Sequence, residues 1–293
     1  MKYPLLALSL AAACVLPSSL SAQSKPTDIY VSVLDAKGNP AMGLTAADFQ
    51  IREDGIAREV LKAAPATQPL TVALLVDDSQ ASGRGIQMIR EAVQGFITAL
   101  SGKAEVSVVT FGERPTIVAD YTTDQKKLLD AAGRVFPRSG SGAYLMETIV
   151  EVSKGLQKRK PARPVIAVLA LDNEVEFSNQ DYRQVLSELD KGGAALHVVT
   201  LGQPGSSLGD EVRNRNQVMA LGTERTGGRR DNVIALTGAA PAMKQLAAEL
   251  LNQYLVTYSR PETLIPPEKV DVTVTKPGLT ARARRHTGQV GAR

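Results

Sequence analysis

The sequence predicts an α/β protein: a doubly wound, mostly parallel sheet with helices on both faces, plus a small β-rich appendage formed from both terminal segments. Three features of the chain predict this. Between residues 67 and 252 the hydrophobic period switches repeatedly between short apolar runs and helical spacing, as it does where strands and helices alternate. Several of those runs, Val165 to Leu171 among them, are continuously apolar, as expected of strands covered on both faces. On either side, residues 23–66 and 253–293 show β-type alternation and turn residues. Neither flank buries its apolar face alone, so the two are expected to pair.

Residues 1–22 read as a secretory signal peptide. Lys2 precedes an apolar run from Leu5 to Val15, broken only by Ser9, and small residues lead to Ser21-Ala22. The run is too short to span a bilayer, and polar Gln23-Ser24-Lys25-Pro26 follows at once. Cleavage near Ala22 and a secreted or periplasmic location are expected. Cys14, the only cysteine, lies inside this segment. Ala11-Ala12-Ala13-Cys14 is a poor lipoprotein acceptance site, because Val15-Leu16 carry the apolar run past it. A mature chain without cysteine has no disulfide framework, thiolate metal site or cysteine nucleophile.

In the first flank, residues 29–34 alternate, Gly38-Asn39-Pro40 turns, Phe49-Gln50-Ile51 resumes, Asp54-Gly55 turns again and Val60-Leu61 closes. In the core, strands are expected at 71–76, 106–111, 116–119, 165–171, 196–201 and 232–236. Helical spacing links Ile86, Ile89, Val93, Phe96, Ile97 and Leu100. It recurs in Leu145, Ile149, Val152 and Leu156, in Tyr182, Val185, Leu186 and Leu189, and in Met243, Leu246, Leu250 and Leu251. Ser178 and Asp181 form a capping pair ahead of the third of these helices. After Asn252 come strands at 254–258 and 270–274, then a basic tail, Arg282 to Arg285, that reads as frayed.

Composition narrows the function. The net charge of +4 falls to +3 once Lys2 leaves with the leader, too mild for a nucleic-acid face. With no Trp, 5 Phe and 7 Tyr, platforms for stacking bases or sugars are poorly supplied. Two histidines and one cysteine make no His/Cys metal cluster, and no phosphate-cradling loop motif occurs. His197 sits in an apolar run and reads as a core imidazole. Lys154, Lys158, Arg159, Lys160 and Arg163 read as a helix C-terminus with a solvated turn. Arg225, Arg229 and Arg230 form a second basic loop.

The chemistry concentrates where apolar runs end. Leu74-Leu75-Val76 stops at Asp77-Asp78-Ser79-Gln80-Ala81-Ser82, and the run ending in Leu171 stops at Asp172-Asn173-Glu174. Carboxylates at the C-terminal ends of parallel strands converge on the crevice where open α/β sheets bind ligands. Together with the Gly/Ser-rich Ser139-Gly140-Ser141-Gly142, these residues resemble a von Willebrand factor type A (VWA) domain of a bacterial secreted branch. The flanks resemble that branch as well, in Val33-x-Asp35-x-x-Gly38-x-Pro40, Gly43-Leu44-Thr45-x-x-Asp48-Phe49 and Glu53-Asp54-Gly55. So do Thr226-Gly227-Gly228, Gln253-Tyr254-Leu255 and Lys276-Pro277-Gly278-Leu279.

The resemblance implies a protein-binding module rather than an enzyme, with an unidentified protein partner. It also implies a metal-ion-dependent adhesion site of pattern Asp-x-Ser-x-Ser, a Thr in the second loop, and a later Asp. Carried onto this chain, Asp77, Ser79 and Asp172 match the metal positions, while Ala81 and Ala143 stand where the second Ser and the Thr are expected. A degenerate site is therefore expected, with Asp77, Asp78, Ser79, Ser82, Ser141, Asp172 and Glu174 lining a binding crevice. The alternative is an adhesion module dependent on Mg²⁺ or Mn²⁺, with Asp78, Ser82, Ser141 or Glu174 as substitute ligands. An alternative of another class is a serine hydrolase using Ser207 of Gly205-Ser206-Ser207-Leu208-Gly209. Against it, Gly202-Gln203-Pro204 separates that string from the strand, and the only downstream histidine is His286.

Overall fold

The computed structural model describes residues 24–172, 175–203, 209–262 and 266–286. Its centre is a six-stranded sheet. The strands, in chain order, are β5 (Leu70–Val76), β6 (Ala104–Thr110), β7 (Thr116–Thr122), β8 (Arg163–Leu171), β9 (Ala195–Leu201) and β10 (Arg230–Val233). Their spatial order is β10-β9-β8-β5-β6-β7, all parallel except β7, which runs antiparallel to β6. The order reverses around β5, so the C-terminal ends of β5 and β8 flank the switch point where such sheets open a crevice.

Every residue of β5 is buried, and alternate side chains enter different cores. Val72, Leu74 and Val76 pack with Ile89 and Phe96 of α1 (Ile86–Leu100), Leu128 of α2 (Gln125–Gly133) and Met243 and Leu246 of α6 (Ala239–Leu251). Ala73 and Leu75 pack on the other side. Their neighbours are Leu145 and Ile149 of α3 (Leu145–Arg159), Val185 and Leu189 of α4 (Tyr182–Gly192) and Val218 and Met219 of α5 (Asp210–Thr226). The period-two alternation of a strand thus builds a three-layer sandwich.

The two termini meet in one β-rich appendage. A four-stranded sheet orders β13 (Thr280–Ala283), β1 (Ser24–Leu34), β11 (Tyr254–Pro261) and β4 (Val60–Pro65). A three-stranded sheet orders β12 (Val270–Val274), β2 (Phe49–Glu53) and β3 (Ile56–Arg58). Both contribute to one apolar cluster containing Val31, Val33, Phe49, Ile51, Tyr254, Val256, Tyr258 and Val270. The Tyr254 hydroxyl is buried with its ring yet satisfied, donating to the Ala41 carbonyl (3.0 Å) and accepting from the Leu44 N–H (3.1 Å).

Four sequence expectations need correction. The basic tail is ordered: Arg282 lies in β13, paired with β1, and Arg284 and Arg285 follow it directly. Arg282 bonds Glu249 (2.7 Å), Arg284 approaches Asp190 (3.6 Å) and Arg285 bonds Glu224 (2.9 Å). The strand fits because residues 227 and 228 are glycines: a Cβ at Gly227 would lie 2.1 Å from the Ala283 carbonyl carbon, and one at Gly228 would lie 1.7 Å from the Leu196 oxygen. Arg163 is buried rather than on a solvated turn, because it opens β8 and its guanidinium bonds the Leu250 carbonyl and Gln253 Oε1. The strand expected at 232–236 ends at Val233, beyond which Leu236–Gly238 coils into a 3₁₀ turn. Asp181 caps α4 alone, accepting from the Arg183 N–H, while Ser178 is buried against Glu176.

Candidate functional site

The chain leaves β5 at Asp77 and ties itself to β8 immediately. The Asp77 N–H donates to the Leu169 carbonyl (3.0 Å), and the Leu171 N–H donates back to Asp77 Oδ2 (3.1 Å). Asp77 Oδ1 accepts from the Ser79 N–H (3.0 Å), which turns the backbone into the 3₁₀ helix Gln80–Arg84. Asp77 is thus 1% exposed, its carboxylate fixed across the strand ends.

Asp78 points toward β6. Its Oδ1 accepts from the Gly112 N–H (2.6 Å) and its Oδ2 bonds Arg138 Nε (2.8 Å), while Arg138 also holds Glu113 (2.9 Å). Residue 112 must be glycine, since a Cβ there would sit 2.4 Å from the Ser79 nitrogen. Ser82 is buried and donates to the Ser79 carbonyl (2.7 Å). Ser141 donates to the Arg138 carbonyl (2.8 Å). Asp172, half-buried after β8, is held by its main chain: its N–H reaches the Leu201 carbonyl (2.9 Å) and its carbonyl accepts from Arg215 Nη2 (3.1 Å). Glu174 and Ser207 lie outside the described residues, as do residues 1–22 with Cys14.

Two residues of this region carry no conspicuous sequence signal. Glu176 forms a parallel bridge with Ala143 and is 2% exposed. Its Oε1 accepts from the Leu145 N–H at the start of α3 (3.1 Å) and from the Ser178 N–H (3.3 Å), while its Oε2 has no partner among the described residues. Burial pushes its carboxyl up to about 7; hydrogen bonding from Ser178 and, after it, the nearby charge of Arg215 oppose the rise, while that of Asp77 adds to it. Arg215, 2% exposed, comes from the inward face of α5. A lone arginine in a polar helix carries no motif, and Glu176 follows a strand end by five residues, so neither stands out along the chain.

The residues do not fit a six-oxygen cation site. Ala81 and Ala143 present methyl groups, Asp78 is committed to Gly112 and Arg138, and the Ser82 and Ser141 hydroxyls are committed to carbonyls. Among the described residues no three His, Cys, Asp or Glu side chains are grouped to hold a metal. Of the matching positions, the buried Ser79 hydroxyl, without a described partner, and the Asp172 carboxylate are left over beside the backbone-bound Asp77. Mg²⁺ takes near-octahedral oxygen coordination, and this set is short of it.

Beside the acids the surface opens into a cleft of mixed polar and apolar lining. This cleft, of about 510 Å³, is lined by Gln80, Ala81, Arg84, Gly140, Ser141, Val175 and Phe177. Val175 and Phe177 are each 50% exposed at its rim. Phe136 and Ile234, in neighbouring loops at the same end of the sheet, are also exposed. Exposed apolar side chains gathered at one end mark interaction sites more often than scattered ones do.

The histidines lie elsewhere. His197 is fully buried near the start of β9, its Nδ1 accepting from the Arg229 N–H (3.1 Å), and burial pushes it down to about 4. The His286 N–H bonds the Arg225 carbonyl (3.3 Å). Both sit toward the N-terminal end of β9, whereas the segment bearing Ser207 follows its C-terminal end. The basic loop of Arg225, Arg229 and Arg230 shares that far end, with Arg225 and Arg229 paired to Asp190, Asp231 and Glu249 rather than open to the crevice.

The family model for the von Willebrand factor type A domain matches residues 71–233, from β5 through β10. Among solved structures, von Willebrand factor type A from Catenulispora acidiphila is similar with a TM-score of 0.52 at 11% identity, over 90% of this chain and 74% of that one. That likeness is one of fold. Conserved hypothetical protein BatB from Bacteroides thetaiotaomicron gives a TM-score of 0.48 at 14% identity, over 62% of this chain and 98% of that one. The vWF domain of the type V pili tip protein Mfa5 from Porphyromonas gingivalis gives 0.47 at 11% identity, over 62% and 95%. No curated protein matches the chain in sequence.

Proposed function

The chain belongs to the von Willebrand factor type A domain family, whose domains commonly serve as protein–protein interaction modules, and on that premise we propose that it binds a protein partner through the loops at the C-terminal ends of β5, β6 and β8. The docking surface is the cleft between Arg84, Ser141, Val175 and Phe177, and the strand-end residues Asp77, Asp78, Ser79 and Asp172 support the loops that form it. Binding needs no divalent cation and no chemistry is performed on the partner. The leader at residues 1–22 supports a secreted or periplasmic site of action. The observation that carries the reading is the half-exposed pair Val175 and Phe177 at the rim of the cleft. Arg84 is exposed beside them and has no ion pair among the described residues. A partner segment presenting an apolar side chain next to a carboxylate matches this lining.

The test is capture of the partner from a secreted or periplasmic fraction by the immobilised chain. Phe177→Ser and Arg84→Ala are expected to reduce capture about tenfold or more each, the range of a central interface residue, and a chelator is expected to leave it unchanged. Undiminished capture by both variants moves the interface away from this end of the sheet.

A further inference from the structure

We propose that the guanidinium of Arg215 is the crevice's own cation: delivered from α5, it supplies the positive charge that the acids at the strand ends require and takes over the compensating role of a bound metal ion. Asp77 and Glu176 are 1% and 2% exposed, and Asp172 stands beside them at the end of β8. Carboxylates withdrawn from water to that degree are tolerated only where opposite charge and N–H donors replace the solvent. The N–H donors are present, from Ser79 and Leu171 to Asp77 and from Leu145 and Ser178 to Glu176. They leave the charge itself to be balanced. Arg138 is spent on Asp78 and Glu113 on the β6 side, and Arg84 lies at the surface.

Among the described residues, Arg215 is the cation that reaches this side of the crevice. Its Nη2 donates to the Asp172 carbonyl at 3.1 Å, and its charge bears directly on Glu176, against that of Asp77. Its position on α5 points the same way. The inward face of that helix buries Val212, Arg215, Val218, Met219, Gly222, Thr223 and Thr226, so the arginine is the one charged side chain on a face of apolar and small polar residues. Arginine stays ionised whatever its surroundings, and a guanidinium 2% exposed demands anions as firmly as the carboxylates demand a cation. Ala81 and Ala143 complete the picture: the hydroxyls a metal would use are absent, and a divalent ion arriving beside Arg215 meets like charge. This role of Arg215 belongs to the same crevice as the docking surface but does not depend on a partner.

The test is a double-mutant cycle in thermal unfolding at about pH 8, where carboxyls are ionised in the unfolded chain. The purified chain, Arg215→Met, Glu176→Gln and the double variant are each melted with millimolar Mn²⁺ and with chelator. Glu176→Gln keeps the Oε1 acceptor while removing the negative charge. The native chain is expected to melt at the same temperature in both media. Arg215→Met is expected to lower Tm by roughly 10 °C, as when one partner of a buried ion pair is removed from a domain of this size. Glu176→Gln is expected to raise Tm by several degrees more in the Arg215→Met background than in the native one, because Glu176 has lost its counter-charge there. Should Arg215→Met fail to fold, the double variant is expected to fold, for the same reason. Stabilisation of the native chain by Mn²⁺ overturns the proposal. So does an equal effect of Glu176→Gln in both backgrounds, or a double variant that also fails to fold.

Discussion

Glu176 makes stability depend on pH in a direction opposite to that of an ordinary paired carboxylate. In the folded chain its carboxyl is pushed up to about 7, against an ordinary value of 4.5. Burial is the main cause, and the partnerless Oε2 is the atom that suffers most as a bare anionic oxygen. Between those two pH values the folded state holds a proton that the unfolded state has released. The stabilisation is therefore complete below pH 4.5 and disappears as pH rises through 7. From 4.5 to about 7, at about 1.4 kcal/mol for each pH unit, the change amounts to about 3 kcal/mol. Glu176→Gln abolishes the titration while preserving the acceptor to Leu145 and Ser178. The assay is urea unfolding of both proteins across about pH 4 to 8, read as the difference in ΔG, so that every other titrating group cancels to first order. The native chain is expected to lose about 3 kcal/mol relative to the variant over that range. A flat difference curve refutes the buried, partnerless carboxyl.

Further outcomes follow from the same geometry. His197, pushed down to about 4 by burial, acts with the opposite sign: its neutral form stabilises the fold above pH 6.5, and that contribution is lost as pH falls through 4. The difference between the native chain and His197→Asn is expected to grow by about 3 kcal/mol from pH 4 to 6.5, and an absent slope contradicts it. Arg282→Met removes the 2.7 Å partner of the Glu249 carboxylate, 1% exposed, leaves it only the longer 3.7 Å pair with Arg229, and is expected to cost about 3 kcal/mol in urea unfolding; a loss under about 1 kcal/mol means the closing strand β13 is not anchored there. Gly228→Ala places a methyl 1.7 Å from the Leu196 oxygen, and a backbone clash of that kind is expected to destabilise by about 3 kcal/mol or more. A variant as stable as the native chain contradicts the packing of that loop.

The fold was legible because its carriers are local and periodic. The strand runs ending at Val76 and Leu171, and the helical stripes from Ile86 and Leu145, each encode an element within their own residues. What stayed hidden depends on partners far along the chain. Helix α5 buries Arg215, Gly222, Thr223 and Thr226 on its inward face, so its stripe does not read as apolar. Strand β13 is short and runs into Arg284 and Arg285, so the segment looks like solvent-exposed tail; the acids at 190, 224 and 249, distant in sequence, hold it against the fold. In the crevice, Asp77 and Asp172 could be picked out because a carboxylate ending an apolar run is locally conspicuous. Glu176 and Arg215 could not, since what distinguishes them is burial beside each other, and that is a property of the fold.

Reception of a protein at the sheet ends, without help from a metal, is open to a direct measurement. A photo-crosslinking side chain is placed at position 177, with a matched control at Ile117 on the outer strand β7, and the partner is offered in the presence of chelator. One discrete adduct is expected from position 177 and none from position 117. Equal labelling from both positions, or an adduct at 177 that forms only when Mg²⁺ or Mn²⁺ is restored, contradicts metal-free docking in the cleft.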